Sequence, residues 1–214
     1  MKKIERYISI FENAEAELSF RKSRFIACLF PAANEEVFQQ GLTEVKGRYP
    51  KATHYCYAVI CDTDGHWERM SDDGEPSGTA GRPILDVLRG SGLTNAALVV
   101  VRYFGGTLLG TGGLVRAYSD TAKEVLKRAE KVCMCPACVL LVQIEYMYYN
   151  QFESKCRAKL IGETTVEFLE KVVIRLHIPV EEKENLCQQL LELTNRTAEI
   201  EEEGIGFVPL PVEK

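Results

Sequence analysis

The sequence predicts an α+β protein of two domains, and three observations carry this prediction. Residues 139–208 follow the order β-α-β-β-α-β, which is the ferredoxin-like arrangement. The first half instead mixes strand-type apolar runs, helical patterns and two glycine-rich segments. A chain of 214 residues can also bury two modest cores, and no repeat relates its halves. We therefore expect a first domain over residues 1–133 and a second over 136–214, with the boundary near Lys131–Pro136.

The elements of the first half follow from apolar periodicity and turn residues. Arg21 and Lys22 are expected to form a turn between two strands. Asn34 is a suitable N-cap for a helix that Tyr49-Pro50 ends, because the residue before a proline avoids helical backbone. The predicted elements are, in order, strands at 17–20 and 23–30, a helix at 34–48, strands at 53–61 and 67–70 around a turn at 62–65, a helix at about 84–89, a buried strand at 96–102 and a helix at about 114–130.

The second half has a simpler pattern. A hairpin turn is expected at Glu170-Lys171, and Gly204 and Gly206 interrupt the last strand. The predicted elements are, in order, a strand at 139–145, a helix at 150–160, strands at 163–169 and 172–178, a helix at 181–193 and a strand at 198–208.

Composition and charge narrow the class of protein. The amino terminus lacks the apolar core of a signal peptide, and no apolar run approaches the roughly 20 residues of a membrane helix. We therefore expect a soluble, cytoplasmic protein without a membrane partner. Residues 1–134 carry 18 basic against 17 acidic side chains, whereas the remainder carries 8 against 14. Since phosphate binding needs a basic face, nucleic-acid contacts are expected only at local patches of the first half.

The eight cysteines are expected to be free thiols, because disulfides need an oxidising compartment. Five of them lie in apolar patterns, where cysteine packs as a small hydrophobe. Cys133, Cys135 and Cys138 form a cluster that could hold a metal. A structural zinc site commonly takes four ligands in two pairs, however, and the sequence offers no second pair. We predict no metal and no cofactor.

The segment Asp72–Pro83 is the first that suggests function. Asp72, Asp73 and Glu75 place three carboxylates within four residues, beside three glycines. Such a loop could hold a cation through its carboxylates or turn backbone amides toward an anion, although its spacing does not match an EF-hand. The alternative is a structured loop in which Asp and Gly satisfy tight turns.

The segment Arg102–Arg116 is the second, with five glycines between a buried strand and a helix. A helix N-terminus offers unpaired amides, and glycines let a phosphate or an RNA backbone approach closely. P-loop and Rossmann fingerprints do not fit, since Thr111 and Val115 stand where those motifs need Lys and Gly. The alternative is close packing of the helix on the sheet. With one arginine from the first segment, the predicted binding residues are Arg82, Arg102, Tyr103, Phe104, Gly105, Gly106, Gly110, Gly112, Gly113 and Arg116.

Several stretches of the first half closely resemble the IMPACT/YigZ family. The resemblance covers about residues 1–130, and the second half looks like the extra domain of the bacterial YigZ branch. The matching stretches are Lys22–Ile26, Ala52–His54, Asp72–Pro83, Val101–Gly106 and Arg116–Tyr118.

This resemblance implies a first domain folded like domain IV of elongation factor G and like RNase PH. It implies a second domain similar to the carboxy-terminal domain of that factor. Because these relatives touch RNA or the ribosome, it also implies binding to RNA, the ribosome or a translation factor. Eukaryotic members regulate translation by competing with a starvation-sensing kinase for an activator on the ribosome, through a different domain that this sequence does not show.

The leading hypothesis is therefore a non-enzymatic, translation-linked regulator that binds RNA, the ribosome or a translation factor through the first domain. Arg82, Arg102 and Arg116 would position phosphates, and Tyr103 or Phe104 could stack a base.

Two other functions remain open. One is a metal-assisted, peptidase-like hydrolase that uses Asp72, Asp73 and Glu75 with His54, because neighbouring carboxylates push one another's pKa values apart. The other is a ligand-sensing adaptor whose ferredoxin-like domain binds a protein. The sequence predicts neither the oligomeric state nor the pathway.

Overall fold

The computed structural model describes residues 5–61 and 66–212, which form two compact units. The N-terminal unit runs from Ile8 to Val132, and the C-terminal unit combines the described residues through Tyr7 with those from Cys133 onward. Helices accompany a β-sheet in each unit, which confirms the predicted α+β class. The turn predicted at 62–65 lies outside the described residues. Within the described part of the chain, no helix is long and apolar enough to cross a membrane.

The strands and helices are numbered in chain order. The strands are β1 (Tyr7–Ile10), β2 (Ala14–Phe20), β3 (Ser23–Pro31), β4 (His54–Cys61), β5 (Trp67–Ser71), β6 (Ala96–Tyr103), β7 (Lys131–Ile144), β8 (Thr165–Phe168), β9 (Val172–Pro179) and β10 (Glu199–Pro211). The α-helices are α1 (Glu35–Arg48), α2 (Gly81–Gly90), α3 (Thr111–Arg128), α4 (Tyr146–Lys155) and α5 (Lys183–Leu193). Short 3-10 turns stand at Arg157–Lys159 and Val180–Glu182.

The sheet of the N-terminal unit has the strand order β2-β3-β6-β4-β5, and its neighbouring strands are antiparallel. Helix α1 covers one face, and α2 and α3 cover the other. Side chains alternate between the faces along a strand, so Phe25 and Leu29 of β3 enter the α2/α3 core while Ile26 and Cys28 enter the α1 core. Because both faces are covered, β6 is buried from Ala96 to Arg102.

Helix α1 forms as its sequence predicts. The side chain of Asn34 accepts a hydrogen bond from the amide of Val37 at 2.9 Å, which satisfies one of the unpaired donors of the first turn. Two glutamates stand in the first turn and two basic residues in the last, as the helix dipole favours. Phe38, Leu42 and Val45 form the buried stripe that fixes the helix on the sheet.

The C-terminal unit carries the predicted β-α-β-β-α-β order as β7-α4-β8-β9-α5-β10. Its strands are arranged β10-β7-β9-β8, which places the first and third strands of that order at the centre of the sheet. Buried residues of β7 and β9 pack with Phe152 of α4 and with Leu186 and Leu190 of α5 in one core. The half-buried Ile200 of β10 packs against the same core.

Among the differences from the sequence-based elements, those in β7, β1 and α4 stand out. Strand β7 starts at Lys131, eight residues before the predicted strand, and therefore includes the cysteine cluster and the expected boundary residues. Strand β1 was not predicted, because four residues with partial burial give a weak periodic signal. Helix α4 starts at Tyr146 rather than Asn150, since four aromatic or sulfur-containing residues mask its first turn.

Gly105 makes the closest backbone approach in the N-terminal unit. A Cβ atom built at Gly105 would stand 2.1 Å from the carbonyl carbon and oxygen of Lys22, which are main-chain atoms that cannot rotate away. This contact places the end of β6 against the turn that joins β2 to β3.

We expect Gly105→Ala to lower the free energy of unfolding by at least ~2 kcal/mol, because overpacking against backbone forces the strands apart. Urea unfolding followed by circular dichroism measures the change. Gly112→Ala is the matched control, since nothing lies within 4 Å of a Cβ at that helical position. The control should be neutral or stabilising by up to ~1 kcal/mol, and equal stability of Gly105→Ala and wild type would contradict the expectation.

Candidate functional site

The two glycine-rich segments meet at one end of the N-terminal sheet. Asp72–Pro83 connects β5 to α2, and the segment after Arg102 connects β6 to α3. His54, the first residue of β4, lies directly opposite Arg102 in the sheet register, and Phe25 of β3 lies opposite it on the other side. The segments therefore share the face of the sheet that α2 and α3 cover.

Asp72 holds the first segment in shape. Its carboxylate accepts hydrogen bonds from the amides of Gly78, Ala80 and Gly81 at 2.8–3.0 Å, and the last two amides belong to the start of α2. Partial burial acts to raise the pKa of Asp72, but the three amide donors outweigh it and lower the pKa below its usual value. Asp72 is thus an ionised loop anchor that takes the place of an N-cap side chain.

Asp73 ties the same loop to the start of β4. Its carboxylate accepts a hydrogen bond from the amide of Tyr55 at 2.6 Å, and its carbonyl oxygen lies 2.8 Å from Nδ1 of His54. The backbone of Asp73 has a φ of 43°, and Gly74 follows with a φ of 86° against the His54 ring. His54 is therefore oriented by the loop.

Glu75 and Arg102 form a buried ion pair between the two segments. Arg102 Nη1 donates to Glu75 Oε1 at 2.5 Å, and the two residues are only 5% and 8% exposed. The hydroxyl of Tyr118 on α3 donates to the same oxygen at 2.7 Å, and His54 Nε2 stands 3.9 Å from it. A carboxylate with several donors around it is the arrangement that makes a buried charge pair tolerable.

Aromatic rings and a thiol contact the polar groups around Glu75 and Arg102. The guanidinium carbon of Arg102 lies 5.3 Å from the centre of the Phe25 ring and 5.5 Å from that of Phe104. The Cys56 sulfur lies within hydrogen-bond distance of the Tyr118 hydroxyl and of the Asp72 carbonyl oxygen. Burial raises the pKa of both Cys56 and Tyr118, so both stay protonated at neutral pH.

The outer side of the same sheet end carries exposed basic and apolar side chains. Ser23 Oγ accepts a hydrogen bond from the Gly105 amide at 3.1 Å, and Thr53 Oγ1 accepts one from the Phe104 amide at 3.1 Å. These bonds bring three loops together. We call the exposed residues of these loops the β6-end surface, and its members are Arg21, Lys22, Lys51, Phe104 and Leu108.

The β6-end surface is positively charged and partly apolar. Phe104 is 45% exposed and Leu108 is 81% exposed. Arg21 Nη1 reaches the Leu108 carbonyl at 3.5 Å, and the neighbouring Tyr103 hydroxyl donates to the Pro50 carbonyl at 3.1 Å, next to Lys51. Arg21, Lys22 and Lys51 all have positive φ values, so each basic side chain projects from a tight turn.

The predicted binding residues fall into four places. Tyr103, Phe104, Gly105 and Gly106 adjoin the β6-end surface, and Gly110, Gly112, Gly113 and Arg116 lie where α3 begins. Arg102 points into the interior toward Glu75, because its pairing with a buried carboxylate outweighs solvation of an exposed end of β6. Arg82 lies on α2, where it pairs with Asp86 at 2.8 Å.

Basic residues of the β6-end surface were missed by the sequence-based site. Arg21, Lys22 and Lys51 lie about 50 to 80 residues before the glycine-rich loop that they adjoin in the fold. The stretch that begins at Lys22 and resembles the family was the signal in the sequence that could have indicated these residues.

Metal-binding groups do not gather in the described residues, where no three His, Cys, Asp or Glu side chains are placed to hold one ion. The Cys133 and Cys135 sulfurs are 3.7 Å apart on β7, while Cys138 faces Glu202. All eight cysteines are free thiols.

Comparison with known proteins defines the class to which this fold and this site belong. The Impact N-terminal domain profile matches residues 21–126, which include both glycine-rich segments and the basic turns. The chain is thus a two-domain protein with an Impact-type N-terminal domain.

Two curated relatives extend the match over nearly the whole chain, which belongs to the IMPACT/YigZ family. IMPACT family member YvyE of Bacillus subtilis is 32% identical over 205 residues, covering 96% of this chain and 94% of the relative. IMPACT family member YigZ of Escherichia coli is 32% identical and covers 84% of this chain and 89% of the relative. A crystal structure of a hypothetical protein matches with a TM-score of 0.64 and 28% identity, over 99% of both chains.

We expect Glu75→Gln to lower the free energy of unfolding by ~3–5 kcal/mol, because it leaves the Arg102 charge buried without its carboxylate. Urea unfolding measures the change, with Glu44→Gln on the exposed face of α1 as the control. The double variant Glu75→Leu/Arg102→Met removes both charges and should recover part of the loss. A loss below ~1 kcal/mol in Glu75→Gln would show that the pair does not hold the segments together.

Asp72 should give the protein a specific sensitivity to acid. Its folded pKa is lowered, so its stabilising contribution is complete above the unfolded pKa of about 4 and is lost as the pH falls through the folded pKa. We expect the unfolding free energy of wild type to fall below about pH 4 more steeply than that of Asp72→Asn. Parallel pH profiles in urea unfolding experiments from pH 7 to pH 2.5 would contradict this assignment.

Proposed function

We propose that this protein is a non-enzymatic, translation-linked regulator whose N-terminal unit binds RNA through the β6-end surface. One observation carries the proposal: the fold gathers three basic side chains and an exposed phenylalanine from three separate loops onto one end of a sheet. Lys22 and Lys51 are the residues on which the test below depends.

The chemistry of this surface suits a single-stranded or looped RNA. Basic side chains on tight turns can contact phosphates, and Phe104 offers a ring on which a base can stack. Gly106 has no side chain to keep a backbone away. The loop then leads into the first turn of α3, and Arg116 lies one turn further along that helix. A few phosphate contacts of this kind suit an acidic protein, and they predict a shallow salt dependence.

The hydrolase reading receives less support. The carboxylate oxygens of Asp72 accept backbone amides at the start of α2, and one oxygen of Asp73 accepts the Tyr55 amide. Glu75 is occupied by Arg102 and Tyr118. These carboxylates therefore have a sufficient structural role, which favours the structured-loop alternative for this segment.

Membership of the IMPACT/YigZ family supports the link to translation, because that is the process in which eukaryotic members act. RNA in ribosomes is the partner that we propose first, and the cytoplasm is where the two would meet. The likeness of each unit to a part of elongation factor G stays a prediction, as does binding to a translation factor.

We expect the double variant Lys22→Glu/Lys51→Glu to lose most of its RNA affinity. Each phosphate contact that is removed should make the slope of log affinity against log salt concentration shallower by ~0.7. The slope of the double variant should therefore be shallower than that of wild type by ~1.4. Filter binding to ribosomal RNA fragments and co-sedimentation with ribosomes at low salt measure both quantities.

The matched control for this experiment is Lys123→Glu/Lys127→Glu. It makes the same change of charge on exposed residues toward the C-terminal end of α3. Circular dichroism and urea unfolding establish that both double variants fold. Equal loss of RNA binding in both would indicate non-specific electrostatics, and no association of wild type at low salt would end the RNA proposal.

A further inference from the structure

A groove with a volume of about 740 Å³ lies between α2 and α3 in the N-terminal unit. Pro83 and Val87 of α2 and Val115 and Leu126 of α3 line its floor. Val115 is 38% exposed, which is high for a residue beside a hydrophobic core. The groove therefore offers an apolar floor that the described residues of the N-terminal unit leave open.

The rim of this groove is basic. Arg82, Lys123, Lys127 and Lys131 line it, together with Asp86 as its acidic member. Asp86 accepts from Arg82 at 2.8 Å, and Lys127 Nζ lies 3.5 Å from a carboxylate oxygen of Glu124, so these two carboxylates offset two of the four cations. The rim keeps an excess of positive charge around an apolar floor.

The shape and chemistry of the groove select one class of occupant. Nucleic acid would leave the apolar floor without matching contacts, whereas the apolar face of an amphipathic helix would bury it. From Val115 to Lys127 the groove follows ~18 Å of helix axis, since α-helices rise 1.5 Å per residue, and this suits a partner helix of about three turns. Charge complementarity with Lys123 and Lys127 requires that the partner be acidic.

We infer that the α2/α3 groove is a docking site for an acidic amphipathic helix of a partner protein. Leucine-like side chains of the partner would pack on Val87, Val115 and Leu126, and its carboxylates would meet the lysines of the rim. This site is separate from the β6-end surface, so one unit would hold RNA at the end of its sheet and a protein across its helices. Arg82 would then contact the partner protein and not a phosphate, which is the role that the sequence analysis predicted for it.

A labelled peptide tests the inference on the full chain. The probe is a fluorescein-labelled 16-residue peptide with Leu at helical spacing i, i+3, i+4 and i+7 and Glu at its exposed positions. Its control replaces every Leu by Ser and keeps the charge. We expect fluorescence anisotropy to show binding of the Leu peptide at least about tenfold tighter than that of the Ser peptide.

Variants of the chain separate the groove from the rest of the surface. Val115→Asp and Lys123→Glu/Lys127→Glu should each weaken binding of the Leu peptide at least about tenfold. Lys22→Glu/Lys51→Glu should leave peptide binding unchanged while it abolishes RNA binding. This reciprocal pattern keeps failure of the RNA proposal distinguishable from failure of the groove proposal.

Three results would overturn the assignment. Equal binding of the Leu and Ser peptides would show that charge attraction alone accounts for peptide binding. An RNA oligonucleotide that displaces the peptide and loses affinity in Lys123→Glu/Lys127→Glu would assign the groove to nucleic acid. A concentration-dependent dimer in sedimentation equilibrium that Val115→Asp dissociates would assign the groove to a second copy of the chain.

Discussion

The buried ion pair of Arg102 with Glu75 is the constraint on which the N-terminal unit depends. Arg102 stands at the end of the most buried strand of the sheet, and Glu75 stands in the loop that leads from β5 to α2. Because neither charge can be left alone in an apolar interior, the loop and the strand fix each other's position. Tyr118 adds α3 to the same cluster, so three elements share one electrostatic centre.

This centre explains why the glycine-rich segments hold so many special residues. Asp72 and Asp73 use their carboxylates to satisfy backbone amides, and Gly105 lets β6 approach the main chain of Lys22. The charged residues of the two segments thus act mainly inside the fold. The basic side chains of the β6-end surface come instead from turns outside the two segments, at Arg21, Lys22 and Lys51.

The sequence predicted the fold better than it predicted the site. The order of strands and helices follows from local periodicity, and the Asn34 cap follows from one side chain. The fate of Arg102 could not be predicted locally, because a cation at the end of an apolar strand is normally exposed and its partner stands 27 residues earlier. Arg21, Lys22 and Lys51 were missed for a similar reason, since only the completed sheet brings their turns beside Phe104. The early start of β7 was missed because its cysteine, methionine and proline residues resemble an irregular segment.

The turn at Arg21 and Lys22 has a consequence for the thermodynamics of binding. Both residues hold left-handed backbone conformations, and Gly105 packs against the main chain of Lys22. A backbone that is already fixed loses little conformational entropy when a ligand arrives, so only the side-chain rotamers of Arg21 and Lys22 remain to be ordered. The turn is therefore preorganised. A partner can bind there without a slow folding step, and the affinity of such a contact should depend mainly on its dissociation rate.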